Sequence, residues 1–143
     1  MRQDTGFSLI EMLTVIAIFS ILCTLAIPGL FQWLPKHRVG SAARDVKSTL
    51  EFARANAIRT NADVTVSFDW ANERLTVNSG GATLRTRQLT GGVDLQDVDL
   101  GPAVTFNGQG FSSQSGQVQV ENKTNADIRR SISLTAGGNT RIQ

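Results

Sequence analysis

The first pattern in the sequence is a long apolar run close to its start. From Phe7 to Ile27 there are 21 residues, of which Glu11 is the only charged one. At about 1.5 Å per helical residue the run is roughly 31 Å long, which matches the hydrocarbon core of a bilayer. We therefore predict a transmembrane helix over residues 7–28, with a bend or loosening at Pro28-Gly29, where proline removes a backbone donor.

The second pattern is amphipathic and extends to about Thr60. Apolar residues recur at steps of seven, four, three and four positions, which places them on one helix face, the apolar stripe: Val39, Val46, Leu50, Ala53 and Ala57. Ala42, Ala43 and Ile58 widen this face. Residues 29–60 are therefore expected to continue the helix and to bury the apolar stripe against the remainder of the chain.

Beyond Asn61 apolar and polar residues alternate in short runs. Residues 69–73, between the runs 64–68 and 75–77, suit a hairpin loop. Other runs occupy 83–87, 104–106, 117–121, 128–134 and 140–142. Residues 93–100 are interpreted as a short acidic segment. This spacing predicts a small antiparallel sheet over residues 61–143, on which the amphipathic half of the helix packs. The expected fold class is α+β.

Membrane insertion alone does not explain Glu11. A charged carboxylate near the bilayer centre costs on the order of 3 kcal/mol, and no lysine or arginine lies between Phe7 and Leu34 to neutralise it. The carboxylate therefore needs a partner outside this segment. A secretory signal peptide fits the segment less well, because the apolar run is too long and carries this charge.

Positive charge is concentrated directly after the apolar run. Residues 36–59 carry six basic and two acidic residues, whereas residues 60–143 carry seven basic and eight acidic ones. The basic stretch lies where lipid headgroups would meet it, so the lipid bilayer is an expected partner. The net charge of the whole chain, +2, excludes no class of partner by itself.

The sequence lacks the residues that common catalytic and metal sites need. Its single histidine, His37, and its single cysteine, Cys23, lie beside or within the apolar run, so they cannot supply an acyl-transfer set or a zinc site. We expect neither enzymatic activity nor a bound cofactor. No metal site is predicted either, because the carboxylates that come closest do not follow the spacing of a calcium-binding EF-hand: Asp94, Asp97 and Asp99.

Gly6-Phe7-Ser8-Leu9-Ile10-Glu11-Met12-Leu13, followed by the apolar run and Pro28, resembles the class III signal of type IV pilins and of type II secretion pseudopilins. Three later stretches resemble the GspH/FimT-type minor pseudopilins, namely residues 53–59, 104–111 and 132–142. This resemblance implies a type IV pilin-like fold, in which a long N-terminal helix packs on a small antiparallel sheet.

The resemblance also implies a maturation and an assembly site. Residues 1–6 would be a prepilin leader, which a dedicated prepilin peptidase removes by cutting between Gly6 and Phe7. Phe7 would become the N-methylated amino terminus, and its amine could neutralise Glu11 of a neighbouring subunit and so fix the register of assembly.

The same resemblance implies partners and a location. The partners would be other pseudopilins or pilins in a hetero-oligomeric filament, the prepilin peptidase and an inner-membrane assembly platform. The chain would span the inner membrane once, with its C-terminal domain in the periplasm, before it joins a pseudopilus or pilus.

Two functions remain open at this point. The resemblance implies either a minor pseudopilin of type II secretion or a minor type IV pilin that primes pilus assembly or binds DNA during uptake. DNA-binding relatives of the FimT type carry a Gly-Arg-x-Arg motif, whereas this chain has Gly138-Asn139-Thr140-Arg141 there. The acidic balance of residues 60–143 makes nucleic acid an unexpected partner. The candidate DNA contacts are Arg85, Arg87, Arg129, Arg130 and Arg141.

Overall fold

The computed structural model describes residues 7–143, except for the side chains at positions 26–28, 30 and 32. The expected leader, residues 1–6 with Gly6 at its end, lies outside the described residues. The chain divides into two compact units, which meet in sequence between Leu34 and Pro35.

One helix in the described chain, α1 (Leu9–Thr60), includes residues of both units. Its helical assignment continues through Pro28, Gly29 and Pro35, so the loosening expected at Pro28-Gly29 does not end the helix. Each proline removes one backbone donor, and the neighbouring turns of this 52-residue helix keep theirs.

Short polar side chains in the apolar half of α1 satisfy their hydroxyl groups within the helix. Thr14 Oγ1 donates to the Ile10 carbonyl oxygen at 2.8 Å, and Thr24 Oγ1 donates to that of Ser20 at 2.9 Å. Ser20 Oγ makes the same bond to the residue four positions earlier. Hydroxyl groups bonded in this way suit surroundings that lack water.

The burial of the apolar stripe is confirmed. All five of its residues are at most 1 % exposed, and so are Ala42 and Ala43. Ile58 differs from the prediction, because its side chain is 50 % exposed. It lies at the flank of the buried face and contacts the loop at Gly110, where an added Cβ would come within 2.7 Å of Ile58 Cδ1.

The strands after α1 form two antiparallel sheets rather than the single sheet expected. Their order is β3-β2-β1-β5 in the first sheet and β4-β6-β7-β8 in the second. The described strands are β1 (Val64–Asp69), β2 (Arg74–Ser79), β3 (Ala82–Gln88), β4 (Val93–Asp97), β5 (Ala103–Phe106), β6 (Gly116–Asn122), β7 (Arg129–Leu134) and β8 (Thr140–Ile142). The α+β class is confirmed.

The strands divide into two sheets because β4 and β5 each pair with a strand that is distant in sequence. Strand β4 pairs with β6, with Val93 opposite Asn122, and so leaves the first sheet. Strand β5 then returns to pair with β1, with Val64 opposite Phe106. Spacing along the chain cannot predict these pairings, because it does not say which strands become neighbours.

The apolar stripe and the inward faces of both sheets form one hydrophobic core. Val66 and Leu75 represent the first sheet in this core, and Val118 and Ile132 represent the second; all four are at most 1 % exposed. The core therefore joins the second half of α1 and both sheets into one unit.

Candidate functional site

The expected assembly acid lies in the first turn of α1. The helix begins at Leu9, and the amides of Glu11 and Met12 donate to the Ser8 carbonyl oxygen at 3.1 and 3.2 Å. Phe7 precedes the helix and is 70 % exposed. Because the Glu11 side chain is exposed as well, both groups are accessible on the isolated chain.

Within the part of the chain that the structure describes, no hydrogen bond or ion pair engages the Glu11 carboxylate. The positive end of the helix dipole favours an acid in the first turn, but only by about 0.3–1 kcal/mol. That gain is smaller than the cost of placing the charge in apolar surroundings. The carboxylate can therefore attract a cationic group from another molecule.

Apolar side chains surround α1 on all sides before residue 26. Such a surface is typical of a helix that is buried in lipid or among other helices. Among the described helical residues, none form a segment both long and apolar enough to cross a membrane. The large apolar residues that are at least half exposed here include Leu9, Ile10, Met12, Leu13, Val15, Ile16, Ile18, Phe19, Ile21, Leu22 and Leu25.

Two of the candidate DNA contacts instead face the helix. The guanidinium carbon of Arg85 lies 5.1 Å from the centroid of the Phe52 ring. Arg87 Nη2 lies 2.7 Å from Asp45 Oδ1. Because residues two apart in a strand share a face, β3 presents both arginines to α1, where they cover the edge of the core.

The other three candidate DNA contacts belong to the second sheet. Arg129 and Arg130 begin β7 and are exposed. Arg141 in β8 stands opposite Ser133, and so lies on the face that points away from the buried Ile132. The structure thus does not gather the five arginines on one surface, because Arg85 and Arg87 face α1 whereas the other three lie on β7 and β8.

The acidic segment is a strand followed by a tight turn. Val93 and Leu95 are buried in β4, and the Asp97 carboxylate accepts the amides of Leu100 and Gly101 at 2.9 Å. The Asp99 carboxylate accepts the Gln117 amide. The described residues contain no group of three His, Cys, Asp or Glu side chains arranged to hold a metal ion.

Sequence reasoning missed a contact between the three stretches that carry the later resemblance. Arg54 of α1 donates from Nε to the Gly110 carbonyl oxygen at 3.1 Å and from Nη1 to Asn139 Oδ1 at 2.9 Å. Gly138 has a φ of +74°, and a Cβ there would overlap the Gly110 carbonyl oxygen. The three stretches therefore meet at the end of α1. The resemblance to the GspH/FimT-type proteins pointed to these three stretches, but a resemblance in sequence does not show that they touch.

Comparison with known families decides the class of protein. The sequence model described as Type II transport protein GspH matches residues 42–138, which is more than half of the chain. The chain belongs to the GspH family. A second model, the prokaryotic N-terminal methylation motif, matches residues 1–27 of this GspH-family chain. Comparison with curated protein sequences gives no significant match.

Solved structures with the same fold include a pilin and a pseudopilin. The type IV minor pilin FimU of Pseudomonas aeruginosa is 17 % identical, with a TM-score of 0.66 over 75 % of this chain and 89 % of FimU. The minor pseudopilin EpsH of the Vibrio cholerae type 2 secretion system is 16 % identical, with a TM-score of 0.62 over 74 % of this chain and 96 % of EpsH. The expected type IV pilin-like fold is confirmed.

Family and fold together define the general nature of the chain. It is a structural, type IV pilin-like protein of the kind that is anchored in a membrane and assembles with other pilin-like subunits. Which filament it joins is a separate question, because the two structural neighbours come from different systems.

Proposed function

We propose that this GspH-family chain is a minor pseudopilin of the type II secretion system, built into the periplasmic pseudopilus or its tip. The observation that carries the proposal is the presence of two family matches on one chain, the type II transport match over residues 42–138 and the methylation motif over residues 1–27. In this role the chain acts as a structural subunit and carries out no catalysis.

Maturation removes residues 1–6. The prepilin peptidase cuts between Gly6 and Phe7, and the new amino terminus at Phe7 is methylated. Mass spectrometry of the chain coexpressed with a prepilin peptidase tests this step. The expected product begins at N-methylated Phe7. A chain that retains Met1, or that is cut at another position, would contradict the proposal.

Residues 7–28 anchor the chain in the inner membrane, residues 29–60 continue the helix in the periplasm, and residues 61–143 form the periplasmic sheet domain. The exposed apolar side chains of the first helical turns support this arrangement, since water is a poor solvent for them. A reporter enzyme that is active only in the periplasm, fused after Gln143, should be active. Activity of a cytoplasmic reporter at the same position would contradict this topology.

Glu11 fixes the register between neighbouring subunits. Cleavage before Phe7 creates a cationic amine at the start of an apolar segment, and each group is costly in that environment when unpaired. The amine of one subunit pairs with the carboxylate of the next, which neutralises both charges. The accessibility of Phe7 and Glu11 on the isolated chain supports this pairing.

The assembly platform of the inner membrane is the partner that inserts the subunit into the filament.

A minor type IV pilin that primes pilus assembly is the second candidate, because the FimU structure matches the fold with a TM-score of 0.66. Deletion of the gene, with complementation by the wild-type chain, separates the two functions. If the chain is a secretion pseudopilin, the deletion should abolish protein secretion and leave surface pili in place. Loss of pili with normal secretion would favour the pilin.

DNA binding gains no support from Arg85 and Arg87, whose guanidinium groups contact α1.

A further inference from the structure

A cavity of about 220 Å³ opens beside the first helical turns of the second unit. One side comes from α1, and the other comes from the start of β7 and the loop before it. One water molecule occupies roughly 30 Å³ of liquid, so a phosphate group fits together with some of its hydration shell. The lining residues are Lys36, Val39, Asp127, Ile128, Arg129 and Arg130.

The rim of this cavity, here called the basic cavity, carries excess positive charge. Three cations, Lys36, Arg129 and Arg130, stand against Asp127 alone. Among the described residues, ion pairs join Lys47 to Glu51, Arg87 to Asp45, and Lys123 to Glu73, and none includes a cation of the basic cavity.

The acid that stands opposite Arg129 in the second sheet is engaged by other groups. Glu121 stands opposite Arg129 in the pairing of β6 with β7. Its carboxylate oxygens accept hydrogen bonds from the side-chain amides of Gln96 and Gln119. The cations of the basic cavity are therefore available to an external anion, and arginine pairs well with phosphate because its donors match the phosphate oxygens.

The floor of the basic cavity is apolar. Val39 is 1 % exposed, and Ile128 is partly buried and packs against the core. Lys36 follows Ile27 by nine residues in the sequence. Basic groups placed this soon after a membrane segment attract anionic headgroups. A cationic rim over an apolar floor fits a phospholipid headgroup, which carries its phosphate next to a less polar glycerol ester.

We propose that the basic cavity binds the headgroup of an anionic phospholipid, with its phosphate held by Lys36, Arg129 and Arg130 and its glycerol portion against Val39 and Ile128. This inference rests on the proposed membrane segment, residues 7–28. Binding would hold the sheet domain against the membrane surface before the subunit enters a filament.

The test uses the full-length chain reconstituted in nanodiscs that contain equal amounts of phosphatidylglycerol and phosphatidylcholine. Native mass spectrometry then counts the lipids that each released chain retains. The wild-type chain should retain phosphatidylglycerol in preference to phosphatidylcholine. Arg129→Gln with Arg130→Gln should reduce that preference by roughly tenfold or more. A chain that does not enter nanodiscs would contradict the proposed anchoring, whereas entry without lipid preference would contradict the headgroup site alone.

The matched control removes the same charge elsewhere. Arg44→Gln with Arg141→Gln, at two exposed positions outside the basic cavity, should leave the preference unchanged. Asp127→Asn should increase it, because it removes the only acid of the rim, and this variant decides the matter if the double arginine variant does not fold. Three results would overturn the proposal: an unchanged preference in the double arginine variant, no increase with Asp127→Asn, or loss of the bound lipid when millimolar inorganic phosphate is added.

Discussion

Arg54 illustrates how one side chain organises the end of α1. Its guanidinium group reaches the Gly110 carbonyl oxygen and the Asn139 side chain, which are 56 and 85 positions away in sequence. Close contact at this point requires a small residue at position 138, where the backbone φ is +74°. The arginine therefore closes two loops over the helix, and these loops contain the later stretches typical of the family.

Replacement of Arg54 by glutamine should destabilise the second unit. The substitution removes two charge-assisted hydrogen bonds, of which the one to the Gly110 carbonyl oxygen is partly shielded from solvent. We expect a loss of about 1–2 kcal/mol in the free energy of unfolding. Urea titration of the detergent-solubilised chain, followed by the circular dichroism of the sheets, measures it. Arg59→Gln is the control, because Arg59 is exposed and its hydrogen bond within the described part of the chain is to nearby Asn56 in the same helix. Equal effects of the two substitutions would contradict the role given to Arg54.

Replacement of Gly138 by alanine tests the close approach of the two loops. Gly81 has a similar φ of +81°, with no atom within 4 Å of an added Cβ, so Gly81→Ala measures the backbone strain alone. Gly138→Ala adds an overlap with the Gly110 carbonyl and should cost about 1–3 kcal/mol more in unfolding free energy. The same urea titration compares both variants. A difference near zero would show that the loops separate without cost.

Individual residues differed in how far the sequence could predict them. Glu11 could be recognised as a candidate functional residue, because an unpaired charge within an apolar run is costly whatever fold the rest of the chain adopts. The environments of Arg85 and Arg87 were not, since their contacts with Phe52 and Asp45 depend on β3 lying beside α1. Local pattern gives the face of a strand that a side chain occupies, but not the element that covers this face.

At the scale of elements, the apolar stripe determines how α1 meets the sheets. Leu50 lies in this stripe and is 1 % exposed, so Leu50→Ala should leave a cavity and cost about 2–5 kcal/mol in unfolding free energy. Leu84→Ala in β3 is the matched control, because Leu84 is 44 % exposed and should cost less than about 1 kcal/mol. Urea titration of both variants checks the difference. Similar costs would mean that the stripe is not the packing surface.

An ion pair joins the loop after β6 to the loop before β2, and it should make the stability of the folded chain depend on pH. Lys123 Nζ lies 2.6 Å from Glu73 Oε1, and this hydrogen bond raises the pKa of Lys123 above its ordinary value of 10.5. A raised pKa in the folded chain means that the added stability is present below 10.5 and is lost as the pH rises through the folded value. The wild-type chain should therefore exceed Lys123→Gln in unfolding free energy near neutral pH, but not well above 10.5.

Urea titrations of both chains across this range measure the difference. Glu73→Gln provides the control, since a chain without the carboxylate should show the same loss at neutral pH and no further change with Lys123→Gln. A stability difference that stays constant through the alkaline range would contradict the assigned ion pair.

Helix and strand positions followed largely from the sequence, whereas the arrangement of the sheets did not. The helical period of the stripe predicted its buried face, and alternation located most strands. Strand β4 was missed because its aspartates conceal the alternation of Val93 and Leu95, which are both buried. The return of β5 to β1 depends on contacts between distant residues, and no local pattern encodes them.

At the scale of the whole molecule, the two units pose different physical problems. Residues 35–143 bury their apolar side chains in a core of their own. The first unit exposes apolar residues around its helix and leaves the Glu11 carboxylate without a partner among the described residues. The first unit is therefore complete only with lipid or with other subunits around it, which is consistent with a pilin-like subunit that assembles.

The proposed pairing of Glu11 with the amine of a neighbouring subunit is tested most directly by measuring incorporation into filaments. Glu11→Ala and the control Thr14→Val, one helical turn away, are expressed with the sibling subunits and the prepilin peptidase. Mass spectrometry confirms cleavage before Phe7, and immunoblotting quantifies each chain in purified filaments. We predict that both variants are inserted and cleaved, and that Glu11→Ala alone is absent from the filaments. Incorporation of Glu11→Ala at the wild-type level would contradict the account.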